Sequence, residues 1–136
     1  MILLQNLLVT VPLVAFLIAR RRWPQHTALV TGALFGSIVS PLSLGMYSLF
    51  FLHPIGLPLG LIGGASVMFH GSPGFHFITA LGLRNPREVV TGIQSIQIEI
   101  ANGILWAIIY GMIGFLIDKL RASKRARNSA KGSMPA

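Results

Sequence analysis

The chain has 136 residues, 53% of them hydrophobic and 10% charged, with a mean hydropathy of +0.71. Soluble domains carry about a quarter charged residues, and here the charges are also segregated, with no Lys, Arg, Asp or Glu from Trp23 to Leu83. That tract is several times the roughly 20 residues one helical span needs, which excludes an ordinary soluble core, and the absence of cysteine excludes disulfides and thiolate metal sites.

The net charge of +8 gathers at segment ends. Arg20, Arg21 and Arg22 close the first apolar run, and Lys119, Arg121, Lys124, Arg125, Arg127 and Lys131 follow the last. End-clustering of this kind is what the positive-inside bias produces. Each such residue gains about 1 kcal/mol beside an anionic lipid surface. Without aromatic interleaving or a folded basic face, nucleic acid is not the expected partner. The expected fold is an all-α integral membrane protein: about four apolar helical segments within residues 1–118, then a basic, disordered tail over 119–136.

The first segment, residues 2–19, lacks the positive region that precedes the apolar core of a signal peptide. It is read as a span with a non-cytoplasmic N-terminus, bent at Pro12 and anchored at the interface by Trp23. The second, residues 27–52, is opened by Pro24 and expected to kink at Pro41, with a neighbouring helix or hydroxyl meeting the freed carbonyl.

The third segment, residues 54–83, holds seven glycines and three prolines. Its Gly71-Ser72-Pro73-Gly74 break leaves two pieces, each too short to cross a hydrocarbon core of about 30 Å. Irregular backbone at membrane depth survives only where protein or a water-filled cavity surrounds it. The fourth segment, residues 86–117, is expected to start with Asn85 as cap, Pro86 at the first helical position and Glu88 in the first turn. Val89, Ile93, Ile96 and Ile100 then recur at helical spacing, and Asp118 ends the run.

Charge decides how the segments cross. Four full spans would place five basic residues (20, 21, 22, 84 and 87) on one side and the six of the tail on the other. If the third segment dips in and returns, nine share a side with the tail and two lie opposite. The positive-inside bias therefore favours three full spans plus a re-entrant segment, with the tail and the Arg20, Arg21, Arg22 loop cytoplasmic; four spans is the alternative.

Three stripes of small residues recur at four-residue spacing: Gly32, Gly36 and Ser40; Gly56, Gly60 and Gly64; and Gly103, Ala107 and Gly111. Each set shares one helical face, where small side chains let another backbone approach. They are read as helix-packing surfaces, within the chain or toward partner subunits.

His53, His70 and His76 surround the broken segment. A haem or metal site through His70 and His76 fits imidazole chemistry. However, a spacing of six is not the three or four of ligands on one helix, and no carboxylate lies near to orient a ring. The expectation is no cofactor and no metal, with a neutral histidine bonded to a carbonyl freed at the break. Glu99 and Asn102 complete the candidate polar residues, since ionisable groups within membranes are functional suspects by default.

No nucleophile triad, metalloprotease helix, carboxylate pair or phosphate loop is present, so catalysis is not expected. The function expected is that of a non-enzymatic accessory or assembly subunit of a larger membrane complex. The alternative is an oligomeric small channel or transporter built around residues 54–83, because broken helices often line transport sites. The expected partners are the lipid bilayer and other membrane subunits, or further copies of the chain.

Overall fold

The computed structural model describes residues 2–51, 56–85, 87 and 89–132, with the side chains of 2–6 and 130–132 left out. These residues form five α-helices and no strand: α1 (Ile2–Arg22), α2 (Thr27–Ser48), α3 (Gly56–His70), α4 (Ser72–Ala80) and α5 (Gly92–Gly132). Short 3-10 turns at Pro24–His26 and Leu49–Phe51 flank α2. Among the described residues, two helical stretches, Pro24–Phe51 and Gly92–Ser129, are long and apolar enough to cross a membrane.

Helices α2 and α5 form the central pair and run antiparallel. Ala28 and Leu29 of α2 meet Asp118 of α5, Gly32 faces Tyr110, Gly36 faces Trp106, and Ser37 faces Gly103. Small residues make this approach possible, because any Cβ at Gly32 or Gly36 would collide with the backbone of α5. Pro41 lies inside α2, which nevertheless continues to Ser48. The proline removes the hydrogen bond that the Ser37 carbonyl would otherwise accept. That carbonyl lies against Gly103, 3.1 Å from where a Cβ would stand, so the neighbouring helix covers the freed group.

Helix α3 folds back along the end of α2: Gly56 lies beside Leu49, Gly60 beside Phe50 and Gly63 beside Met46 and Tyr47. Ser66 then meets Ser43 at 2.6 Å. At Gly71 the helix is interrupted, and α4 begins at Ser72. Along residues 70, 71 and 78 the partners on α5 fall in number: the His70 carbonyl bonds Trp106, the Gly71 carbonyl bonds Asn102, and Ile78 clusters with Ile98 and Ala101. Helix α4 thus packs on α5, with Gly74 and Ile78 both beside Ile98. Leu81 and Gly82 end α4, with Gly82 at φ +69°, the left-handed conformation glycine adopts without strain.

Two boundaries differ from the sequence expectation. The last helix begins at Gly92, not residue 86, while Pro86 and Glu88 lie outside the described residues. Its cap is Thr91: the Thr91 N–H donates to Gln94 Oε1 at 2.9 Å and the Gln94 N–H to Thr91 Oγ1 at 3.5 Å. That is the reciprocal Thr-x-x-Gln capping box, which satisfies two otherwise orphaned amides. Asn85 instead accepts the Arg87 N–H in the preceding turn.

At the other end α5 runs on to Gly132, where the sequence reading expects disorder from residue 119. Alanine, arginine and lysine are strong helix formers, and extending a helix already nucleated by packing adds a bond per residue without a new nucleus. Residues 133–136 lie outside the described residues.

Candidate functional site

The break at residues 71–74 leaves backbone groups that helices cannot satisfy, and α5 supplies side chains to meet them. Asn102 is fully buried and bonds the break at both ends of its amide. Its Oδ1 accepts the Gly74 N–H at 2.6 Å and its Nδ2 donates to the Gly71 carbonyl at 3.1 Å. One turn on, Trp106 Nε1 donates to the His70 carbonyl at 2.9 Å. Gly74 is required for this approach, since a Cβ there would stand 2.6 Å from both Asn102 Oδ1 and the Ile98 carbonyl.

The His70 side chain extends the same cluster. Its Nδ1 lies 3.0 Å from the Ser66 carbonyl and 3.2 Å from Ser66 Oγ, and its Nε2 lies 3.1 Å from the Tyr110 hydroxyl. A carbonyl only accepts, so the bond to it places the proton on Nδ1, and Nε2 of the neutral ring then accepts from Tyr110. Ser66 also contacts Ser43 Oγ, and Ser43 donates to the Val39 carbonyl, so hydroxyls and imidazole link α2, α3 and α5. The Trp106 ring packs on His70 at 4.7 Å between centroids, and Tyr110 meets Phe35 edge-on at 5.1 Å.

His76 is exposed on α4 against Phe75, and His53 lies outside the described residues. Among the described residues no group of three or more His, Asp or Glu side chains gathers in metal-binding fashion. The carbonyls freed at the break are met by Asn102 and Trp106, whereas His70 bonds the carbonyl one turn back within α3.

Glu99 lies beside Ser40 of α2. Ser40 is 12 residues beyond Ala28, hence roughly 18 Å along α2 at 1.5 Å per residue, so Glu99 belongs to the middle of the helix pair rather than its end. It borders a groove of about 380 Å³ between α1, α2 and α5. Arg84, counted from the sequence in the loop after the third segment, is buried and stacks over Phe75 with its guanidinium carbon 4.3 Å from the ring centroid, a cation–π arrangement.

The small residues divide by what they meet. Gly32, Gly36, Gly56 and Gly60 each face backbone with no room for a methyl group, and Ala107 lies against Gly36. Gly103 has 3.1 Å to the Ser37 carbonyl, and Gly111 has ordinary contact with Ala33 at 3.5 Å. Gly64 meets only the Tyr47 ring, at 3.2 Å, while Gly63 takes the backbone contact. At 3.6 residues per turn, a position seven beyond Gly56 returns to the same face more closely than one eight beyond. Gly114, against Ala28 and Leu29, is a further close contact the spacing did not single out.

Asp118 does more than end an apolar run. Its Oδ1 accepts from Ala28 N–H at 3.2 Å and its Oδ2 from Leu29 N–H at 3.0 Å, placing a carboxylate at the N-terminus of α2, where the helix dipole favours it. This bond also puts the Arg20, Arg21, Arg22 cluster at the end of the bundle where Lys119 begins the basic stretch. Those residues and Arg121, Lys124, Arg125 and Arg127 are all exposed.

Comparison with protein-family models, curated proteins and solved structures gives no match. The functional reading therefore rests on the chain's own geometry.

Proposed function

We propose that the protein is a multi-pass membrane protein in which α1, α2 and α5 span the bilayer and the α3–α4 hairpin enters and leaves on one side. Its role is that of a non-enzymatic accessory or assembly subunit of a larger membrane complex. The observation that carries the reading is the one-sided covering of the hairpin. Its inner face is held by Asn102 and Trp106, while beside the turn Met68 and Phe69 are 83% and 75% exposed. Backbone broken at membrane depth is stable only when protein or a water-filled cavity surrounds it, so a subunit on the outer face completes the shell. A groove lined by Tyr47, Phe50, Gly60, Gly64 and Met68 gives that face the relief a partner helix can enter.

The exposed basic residues at the Arg20 and Lys119 end support a cytoplasmic placement of that end against anionic lipid. The glycines facing α2 and α5 backbone are engaged within the chain, so the subunit surface falls on the hairpin instead. The alternative, a channel or transporter assembled around the broken segment, has less support because Asn102, Trp106 and His70 fill the turn.

Purification in a gentle detergent, followed by native mass measurement, tests the role. The accessory reading expects a foreign membrane subunit in fixed stoichiometry, lost when Phe69 is replaced by Ser. A ring of identical chains conducting ions in planar bilayers would replace it with the channel reading.

A further inference from the structure

A second groove of about 380 Å³ runs between α1 and α2, a volume in the range of small-ligand sites. Ala15, Phe16 and Ala19 of α1 and Ala33 of α2 stand in its wall, and the three alanines leave the space between the helices unfilled. From Leu29 to Ser37 it follows α2 for roughly 12 Å at 1.5 Å per residue. Ser37 brings a hydroxyl, but that hydroxyl donates to the Leu34 carbonyl at 2.7 Å, so along this length the wall offers a ligand hydrocarbon. One end differs. There Trp23, 49% exposed, lines the groove where α1 gives way to the turn before α2, and its indole N–H has no acceptor among the described residues. Arg20 follows Ala19 in the chain, is exposed, and holds its guanidinium carbon 5.9 Å from the centroid of the Phe16 ring. Of the described acids, Asp118 accepts from Ala28 and Leu29 and Glu99 lies beside Ser40, so the Arg20 donors stay open to an anion from outside.

A hydrocarbon slot with a cation and an N–H donor at one end is complementary to an anion that heads a hydrocarbon chain. Tryptophan and arginine are both at home at the headgroup level of a bilayer, and a guanidinium meets phosphate oxygens through paired hydrogen bonds. We propose that the groove between α1 and α2 holds one acyl chain of an anionic glycerophospholipid. The chain lies along Ala15 and Ala33 toward Ser37, Arg20 donates to the phosphate, and the Trp23 indole N–H donates to an oxygen of the same headgroup. The charge of the end selects the lipid: a choline head brings a cation of its own beside Arg20, Arg21 and Arg22, whereas a glycerol head does not. The site uses no residue of the hairpin face assigned to a partner subunit, so the two readings stand or fall independently.

Native mass spectrometry of the purified full-length chain tests the site, after the chain is stripped of lipid in detergent and mixed with equal amounts of phosphatidylglycerol and phosphatidylcholine bearing the same acyl chains. The expected result is saturation at one phosphatidylglycerol per chain, with phosphatidylcholine held far more weakly. Arg20→Gln should weaken retention roughly tenfold or more, the scale of one hydrogen bond to a charged group. Ala15→Trp, at an exposed position in the wall, should fill the groove and abolish retention with helix content and elution volume unchanged. Lys119→Gln removes a positive charge at the same end of the bundle but outside the groove, and should leave retention as it was. Equal retention of the two lipids, retention that survives Arg20→Gln or Ala15→Trp in a folded chain, or a loss in Lys119→Gln as large as in Arg20→Gln would overturn the proposal.

Discussion

Asn102 accepts the Gly74 N–H at 2.6 Å and donates to the Gly71 carbonyl at 3.1 Å, so one amide spans the break between α3 and α4. Pro73 and the two glycines break the helix, and Asn102 makes that break tolerable in an apolar setting. Asn102→Leu keeps the side chain's approximate size and removes both bonds, leaving a buried donor and a buried acceptor unpaired. A loss of about 2 kcal/mol or more is expected, measured by unfolding in mixed detergent. An unchanged midpoint would mean the turn does not depend on this residue.

The glycines give a comparison within one protein. A Cβ at Gly60 would stand 2.6 Å from Phe50 backbone, whereas Gly45 has open space on its side-chain face. Gly60→Leu should prevent α3 from closing on α2 and reduce the yield of folded protein. Gly45→Leu should be tolerated, even slightly favourable, because leucine is the better helix former. Thermal aggregation of the two purified variants distinguishes them, and equal behaviour would remove the case for close packing at Gly60.

Tyr110 and His70 give a smaller and more specific effect. Removing the hydroxyl in Tyr110→Phe deletes its bond to His70 Nε2 and leaves the ring against Phe35. The cost expected is about 1 kcal/mol. In combination with His70→Gln the losses should be less than additive, as befits groups sharing one network. Full additivity in the double-mutant cycle would show that the two side chains act separately.

Asp118→Ala should cost about 1 kcal/mol, the usual value of a lost N-terminal cap with some contribution from the helix dipole. Asp118→Asn, which keeps an oxygen acceptor, should recover part of it. Amide exchange at Ala28 and Leu29 reads the effect locally, because those two N–H groups lose their acceptors. Protection there that is unaltered in Asp118→Ala would contradict the capping role.

Much of the architecture is written in local signals. The Gly71-Ser72-Pro73-Gly74 stretch marks the break because proline lacks an N–H and glycine does not hold a helix. The four-residue spacing of Gly32 and Gly36 marks the face of α2 that α5 approaches. The start of the last helix was misplaced: Asn85 and Pro86 carry cap and first-turn residue types, whereas the helix begins at Gly92 behind the Thr91–Gln94 box. The polar network was not legible. Its partners, such as Asn102 with Gly71 or Asp118 with Ala28, are far apart in sequence, and only the register of the packed helices brings them together. The same holds for Glu99, which position alone sets near the start of a span and which its place beside Ser40 sets midway along α2.

The central claim is that α3 and α4 enter and leave on one face of the membrane, and the absence of native cysteine allows a direct test. Single cysteines at Phe51, Leu83 and Ser123, all exposed, are to be labelled with an impermeant thiol reagent in sealed, oriented vesicles. The hairpin reading predicts that positions 51 and 83 react from the same side and position 123 from the other. Labelling of 51 and 123 from one side with 83 from the other would mean that residues 56–80 cross the bilayer, and it would contradict the account.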